Sequence, residues 1–369
     1  MRIACFNVEN LFSRARVMNL DTWADGKKVL TEYGKLTTLL QKPVYSPTDK
    51  TKIVASLKAI GLGASDESKF VILRQNHGRL VKRPASGLVV EANGRADWIG
   101  WLELKKEAVN DVAVQMTGKV IQELKADILA VVEAEDRIAL SHFNDQLLKP
   151  LSANLGSIML IDGNDDRGID VGLLTRKGFP IESIASHVDD MEGNSRIFSR
   201  DCPEFTVNVG NNTTVTVIVG HLKSKGYGSP EASNARRKLQ AKRTRAIYEM
   251  RKAQGIERIA VVGDFNDTPD SDPLRPLLGS GSDLKDIFDH PQFLDDGRPG
   301  TYANGTASQK IDYILLSPVL WDSVTACGVL RKGVWGGKHG TLFPHYDEMT
   351  KAIHAASDHA ALWVDLDLS

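Results

Sequence analysis

The chain has 369 residues, of which 42% are hydrophobic and 25% charged, with a formal net charge of −1. That length and apolar share suffice for one large domain or two smaller ones, and the balanced charge excludes a global field that would gather nucleic acid or an anionic membrane, so any polyanion site has to be a local patch. Three scattered cysteines, Cys5, Cys202 and Cys327, give neither a metal spacing nor a disulfide framework, no run of about 18 apolar residues offers a membrane span, and no basic-then-apolar leader opens the chain, which together predict a soluble cytoplasmic protein.

Ile3 to Glu9 predicts a strand with Asn7 and Glu9 on one face, opposite Phe6 and Val8, closed by Asn10-Leu11-Phe12. A polar pair at a strand end is equally compatible with a solvated edge. Residues 14 to 106 carry the weakest patterns: a short helix over 53–60 ending at Gly61, and short strands over 70–73, 88–90 and 98–104. Lys69, Arg74, His77, Arg79, Lys82 and Arg83 form a basic cluster there, read first as a solvated face and second as a substrate contact. Apolar residues at helical spacing predict an amphipathic helix over 107–125. Asp127 to Glu133 follows as a strand covered on both faces and ending in a carboxylate, with Glu135 and Asp136 competing for the same role.

Asp166 to Leu174 predicts another strand, with Arg167 and Asp170 at its mouth. A plain salt bridge explains that pair as well as function does. Ser199-Arg200-Asp201 precedes an apolar strand over 205–209. The β-branched run from Thr213 to Leu222 ends at His221, followed by Lys223 and Lys225. Residues 234–253 predict a basic helix that buries Ala235, Leu239, Ala246, Ile247 and Met250. From His221 to Lys252 there are ten Lys or Arg against two Glu, the most plausible polyanion patch in the chain.

Val261 to Asp267 is the stretch around which the rest is arranged. Asp264 and Asn266, two apart at a strand end, share a face, with Phe265 turned into the core. A strand entering an Asx turn before Pro269 is the local alternative. Ile311 to Leu316 predicts a strand with Asp312 near its start. A Gly-rich aromatic stretch (334–346) then leads to Asp358-His359 at the mouth of a last strand over 361–368. Polar groups thus recur at strand mouths, where open α/β sheets place their sites. Carboxylates and an amide without cysteine select a hard ion such as Mg2+ or Mn2+.

The motifs Phe6-Asn7-Val8-Glu9-Asn10, Asp127 to Glu133, Gly220-His221, Gly263-Asp264-Phe265-Asn266, Ile311-Asp312-Tyr313 and Ser357-Asp358-His359 stand in the order of the endonuclease/exonuclease/phosphatase superfamily, and the sequence resembles that family. The family includes pancreatic-type deoxyribonucleases, abasic-site endonucleases, neutral sphingomyelinases and inositol polyphosphate 5-phosphatases. Arg167 to Asp170 and His221 to Lys225 look most like bacterial members. The resemblance implies a four-layered α/β sandwich, two mixed β-sheets face to face with helices outside. It implies one domain over 1–369, with the 14–106 insertion at the rim of the active site. Val132 stands where many members carry Gln.

Carried over, the resemblance implies that Glu133, with Asn7, Asp358 and Glu9, holds a divalent metal. Asp264 would orient or deprotonate the attacking water, and Asn266 would hold that water or a phosphate oxygen. His359 would donate to the phosphate with Asp312 fixing its tautomer, and His221 would be a second catalytic histidine. Arg200, Lys223, Lys225 and Arg167 would bind phosphate. The expected activity is a metal-dependent phosphodiesterase acting on nucleic acid. The alternatives are a phosphatase or phospholipase C-like hydrolase on a phosphorylated small molecule or lipid, and, from another class, a catalytically silent binding module.

Overall fold

A computed structural model describes residues 1–20, 23–165, 167–225 and 229–368. The chain separates into two compact units: residues 1–12, 109–225 and 231–369 form one, and residues 13–108 with 226–230 form the other. The second unit begins and ends within two residues of the predicted insertion.

The larger unit holds two mixed sheets. One has seven strands in the order Phe293–Leu294, Val324–Leu330, Ala361–Leu366, Arg2–Asn7, Ile128–Ala134, Asp170–Thr175 and Ser157–Ile161. The other has six, in the order Ile181–Ala185, Glu204–Asn208, Thr214–His221, Ile259–Asp264, Asp312–Leu316 and Lys285–Asp286. Strand alternation assigns each side chain to a layer. Ile3, Cys5, Ile128, Ala130 and Val132 from the first sheet meet Val217, Val219, Ala260, Val262 and Ile314 from the second in one shared core. Their neighbours Ala4, Phe6, Leu129 and Val131 point outward, to Met116, Val120 and Leu124 of the helix Asp111–Leu124. On the opposite outside, Ile218, Val261 and Tyr313 pack with Ala241, Ile247 and Tyr248 of the helix Pro230–Ala253. The result is the four-layered sandwich, helix, sheet, sheet, helix.

Several details differ from the sequence reading. The first strand ends at Asn7, and Glu9 and Asn10 turn into left-handed backbone with φ of 49° and 65°, so Glu9 does not continue the strand face. The helix Pro230–Ala253 keeps only part of the predicted apolar stripe: Ile247 is buried and Leu239 half-buried, but Ala235, Ala246 and Met250 are exposed. Beside Ile247 it buries Ser233, Arg237, Gln240, Ala241, Thr244 and Tyr248. Of the polar members of that face, Arg237 and Gln240 hydrogen-bond the Lys223 backbone just after His221, a requirement that apolar periodicity does not encode. Asp166 lies outside the described residues.

In the smaller unit the helix Pro47–Ala59 starts at a capping box between Ser46 and Asp49. A second helix, Trp23–Leu40, escaped the sequence reading. It buries Leu30, Tyr33, Leu36 and Leu40 at helical spacing, but Gly and Thr between them hide the pattern. Short hairpins complete the unit, among them Val71–His77 with Ile99–Leu104 and Val81–Lys82 with Val89–Val90.

Candidate active site

Three strand ends of the six-stranded sheet lie level. His221 pairs across a parallel ladder with Asp264, and Asp264 pairs across an antiparallel ladder with Asp312. Directly opposed residues on neighbouring strands bring their side chains together. Gly263 permits the close approach: its φ is +142°, and a Cβ there would meet the Gly220 carbonyl oxygen at 1.8 Å. The seven-stranded sheet contributes Asn7 and Glu133 from neighbouring parallel strands, and the segment entering Ala361–Leu366 contributes Asp358 and His359.

Asp264 is where these groups meet. Its Oδ2 accepts from Asn7 Nδ2 at 3.3 Å and lies 3.6 Å from His221 Nε2 and 3.9 Å from His359 Nε2. Burial, with Asp312 and Glu133 close by, raises its carboxyl pKa well above the usual range. Asn266, just past the strand with φ 54°, donates its backbone N–H to Asp264 Oδ1 at 2.8 Å and its side-chain amide to the Leu222 carbonyl at 3.2 Å. Phe265 is buried and stacks on Tyr313, as its alternate position required.

On one side of Asp264 stands His359. Its Nδ1 lies 3.0 and 2.9 Å from the two Asp312 oxygens, leaving Nε2 to face Asn7 Nδ2 at 3.4 Å and Asp358 Oδ1 at 3.6 Å. Burial disfavours the charged ring, but Asp312, Asp358 and Asp264 outweigh it, and the His359 pKa is raised well above the usual imidazole value. Two residues absent from the sequence reading hold this arrangement. Thr301 donates its hydroxyl to Asp312 Oδ2 at 2.6 Å and accepts the Asp312 backbone N–H at 3.0 Å. Tyr302 packs its ring 4.9 Å from His359 and lies beside the Asp358 carboxylate. Their only sequence signal is proximity to the Asp312 strand.

His221 occupies the other side, with Nε2 3.5 Å from Glu133 Oε1 and no hydrogen-bond partner for its buried Nδ1 among the described residues. Burial and the guanidinium groups of Arg200 and Arg167 push its pKa well below the usual value. Those two arginines share one carboxylate. Arg167 holds Asp165 through two bonds of 2.9 and 2.7 Å, and Arg200 Nε lies 3.1 Å from the same group. Arg200 is only 1% exposed, so it acts on the field around His221 and does not reach out as an open phosphate clamp. Lys223 sits in the same positive surroundings; burial, with Arg167 and Arg200, brings its pKa down to about 7. Its backbone is fixed by the helix: Gln240 accepts the Lys223 N–H at 2.7 Å, and Arg237 donates to the Lys223 carbonyl. Lys225 is not brought to the cluster in the same way, because it pairs with Asp267, which Arg237 also holds at 2.9 Å.

The metal candidates form a connected set. Asn7 Oδ1 accepts the Glu9 N–H at 3.0 Å, and Glu9 Oε2 accepts the Asp358 N–H at 3.2 Å. Glu133 has left-handed backbone, φ 63°, and with Glu9, Asn10 and Asn266 makes four non-glycine residues in that region around one site. Such strain clusters where a surrounding structure imposes it for function. Glu133 is also separated from its neighbours in role. Glu135 accepts the backbone N–H groups of Leu11 and Phe12 at 2.9 and 2.7 Å, and Asp136 caps the helix Arg137–Phe143. Ligand atoms of Glu133, His221 and Asp264 lie within 4.8 Å of one another, as do those of Asp264, Asp312 and His359. An all O and N donor set with like-charged carboxylates crowded at Asp264 fits a hard divalent cation, whose charge would relieve that crowding.

Over residues 114–359 the sequence matches a family described as Endonuclease/Exonuclease/phosphatase family. No curated protein matches it. Solved structures share its fold. An endonuclease/exonuclease/phosphatase family protein from Bacteroides thetaiotaomicron is 16% identical, with 68% of this chain and 86% of that one covered, at a TM-score of 0.50. A mannosyl-6-phosphatase from the same organism is 16% identical, covering 69% and 90% at a TM-score of 0.50. The catalytic domain of human Nocturnin with bound sulfate is 16% identical, covering 71% and 89% at a TM-score of 0.50.

Proposed function

The chain belongs to the endonuclease/exonuclease/phosphatase family, and on that premise we propose that it is a divalent-metal-dependent phosphodiesterase with nucleic acid as its first substrate class. The observation that carries the chemistry is the convergence of His221, His359, Asn7 and the carboxylates of Asp312 and Glu133 on Asp264. In this reading Asp264 orients the attacking water and takes its proton, and Asn266 steadies water or phosphate from the adjacent turn. His359, charged beside Asp312, donates through Nε2 to the phosphate as negative charge builds, while Asp312 and Thr301 hold Nδ1 in place. His221 donates from the opposite side. Arg167 and Lys223 supply positive charge near the phosphate. Glu133, with Asp358, Glu9 and Asn7, would hold Mg2+ or Mn2+, which when bound polarises the phosphoryl oxygen.

A phosphorylated small molecule or lipid headgroup is the second reading. It is favoured by the state of the basic helix. Arg237, Lys238, Arg243, Arg245, Arg251 and Lys252 are each ion-paired with a carboxylate of the same unit, so most of its positive excess is neutralised at home. A panel of plasmid, linear DNA, RNA, sphingomyelin, sugar phosphates and inositol phosphates, assayed with magnesium and with chelator, separates the readings. Turnover of the nucleic acids, lost in chelator and restored by Mg2+ or Mn2+, is the expected outcome. Full activity in excess chelator ends the metal assignment, and exclusive turnover of a small phosphate replaces the first substrate class with the second.

A further inference from the structure

The near-neutral total charge conceals a division. Residues 13–108 contain 17 Lys or Arg and ten Asp or Glu, whereas the remaining residues contain 29 and 37. An excess of seven positive charges therefore sits in the smaller unit and an excess of eight negative charges in the larger. The acids of the smaller unit are largely consumed: Glu107, Glu32, Asp49, Glu103, Glu91, Asp66 and Glu67 each bind one cation. Lys69, Arg79 and Lys106 are exposed and have no ion pair among the described residues.

These three cations flank a two-stranded ribbon, Val71–His77 with Ile99–Leu104. Its inner face, Val71, Leu73, Leu102 and Leu104, is buried in the unit's core. Its outer face pairs Arg74 with Trp101 and His77 with Ile99. Trp101 is 49% exposed and Ile99 58% exposed, a large apolar area left in water. The ring lies beside Glu103, which holds Arg74 at 2.8 Å. Lys69 and Lys106 stand at the end where Val71 pairs with Leu104, and Arg79 beyond the end where His77 pairs with Ile99.

We infer that this ribbon binds single-stranded nucleic acid: Trp101 and Ile99 receive the faces of unpaired bases, while Lys69, Arg79 and Lys106 contact phosphates. Exposed aromatic rings between cations are the elements that single strands use, because every base offers a π-face and every linkage a charge. A duplex hides its base faces and would leave Trp101 in water. An anionic lipid surface would press the Glu103 carboxylate, beside Trp101, against its own charge. The choice of nucleic acid among polyanions rests on the phosphodiesterase reading, but the binding can be measured without chemistry.

The test titrates the full chain, in chelator, with a fluorescein-labelled single-stranded oligonucleotide, its duplex, and vesicles of phosphatidylserine and phosphatidylcholine. The single strand is expected to bind best and to quench tryptophan fluorescence. Trp101→Ala should weaken it roughly tenfold or more, as loss of a stacked base does, and Trp101→Phe should retain most of the affinity. Replacing Lys69, Arg79 and Lys106 together with Ala should flatten the slope of log affinity against log salt by about two, given about 0.7 per single-strand phosphate contact. Hydrolysis of bis(p-nitrophenyl) phosphate in magnesium should be unchanged in all of these variants. Unchanged oligonucleotide affinity in a folded Trp101→Ala, equal affinity for the duplex, or binding to vesicles alone overturns the inference. Strand binding through Trp101 without any phosphodiesterase activity would sink the chemistry and leave this surface standing.

Discussion

His359 and His221 are both buried, both reach toward Asp264, and are pushed in opposite directions. Around His359 stand Asp312, Asp358 and Asp264, and they raise the imidazole pKa well above its usual value. His221 is buried beside Arg200 and Arg167, two cations spread over the single carboxylate of Asp165, and its pKa is pushed well below the usual value. Burial disfavours the charged ring in both; at His221 it is the largest cause and the two cations add to it, whereas at His359 the surrounding carboxylates overcome it. The site in effect has a charged-imidazole side and a neutral-imidazole side joined by one carboxylate. That difference predicts a hierarchy among substitutions, with the joining residue first.

Asp264→Asn should have the largest effect, a loss of at least about a hundredfold in kcat, since it removes the group shared by both sides. The same change removes a negative charge crowded by Asp312 and Glu133, so the metal-free variant should melt no lower than the wild-type chain. A calorimetric scan in chelator beside a turnover assay reads both, and a folded variant with near-wild-type turnover would dismiss the role.

His359→Ala should also cost about a hundredfold, whereas His221→Ala should cost less, because a neutral imidazole stabilises less developing charge. NMR of the ring nitrogens in metal-free protein tests the premise. His359 should remain protonated above pH 6.5, the usual imidazole value, and His221 should remain neutral below it. The stability consequences have opposite signs. The contribution of His359 is complete below the unfolded-state pKa and is lost as pH rises through its raised folded value. That of His221 is complete above the unfolded-state pKa and is lost as pH falls below it. Two rings titrating together would dissolve the comparison.

How much of this was legible follows the same division. The charged-imidazole side was read almost entirely, because Asp264, Asn266, Asp312, Asp358 and His359 sit at strand ends, where local pattern names both strand and mouth. On the other side His221 was legible for the same reason. What organises it was not: Arg237 and Gln240 lie mid-helix, where an apolar stripe was expected, and fix the Lys223 backbone from fourteen and seventeen residues away. Thr301 and Tyr302 belong to a turn without periodicity. Glu133 could not be separated from Glu135 and Asp136 until the backbone N–H groups that occupy the latter two were seen. Local periodicity encodes which residues reach the cleft, while the partners that aim them are set by tertiary contact.

Thr301→Ala should cost roughly tenfold in kcat with little change in KM, because a hydrogen bond to a charged group is worth about 1.5–3 kcal/mol and this one orients Asp312 rather than touching substrate. Thr301→Ser should restore most of the rate, and a rise in KM with kcat intact would move Thr301 from positioning to binding.

The two lysines after His221 give the smallest effect and the finest test. Lys223 is largely withdrawn from water beside Arg167 and Arg200, and a pKa brought down to about 7 means that its surroundings already resist one more positive charge. A phosphate arriving there adds negative charge beside the lysine and favours return of its proton. Lys223→Ala should therefore raise KM severalfold, more steeply at pH 6.5, where the side chain is already charged before substrate arrives, than at pH 8, where binding has first to return the proton. Lys225 has its counter-charge at home on Asp267, and its side chain is 54% exposed. Surface pairs of that kind are worth about 0–1 kcal/mol, and Asp267 keeps its buried partner Arg237 when Lys225 is removed. Lys225→Ala should change KM by less than about threefold at either pH, within the worth of such a pair. Equal losses from the two substitutions would mean that the loop presents both lysines to the phosphate, and that the pairing of Lys225 with Asp267 gives way when substrate binds.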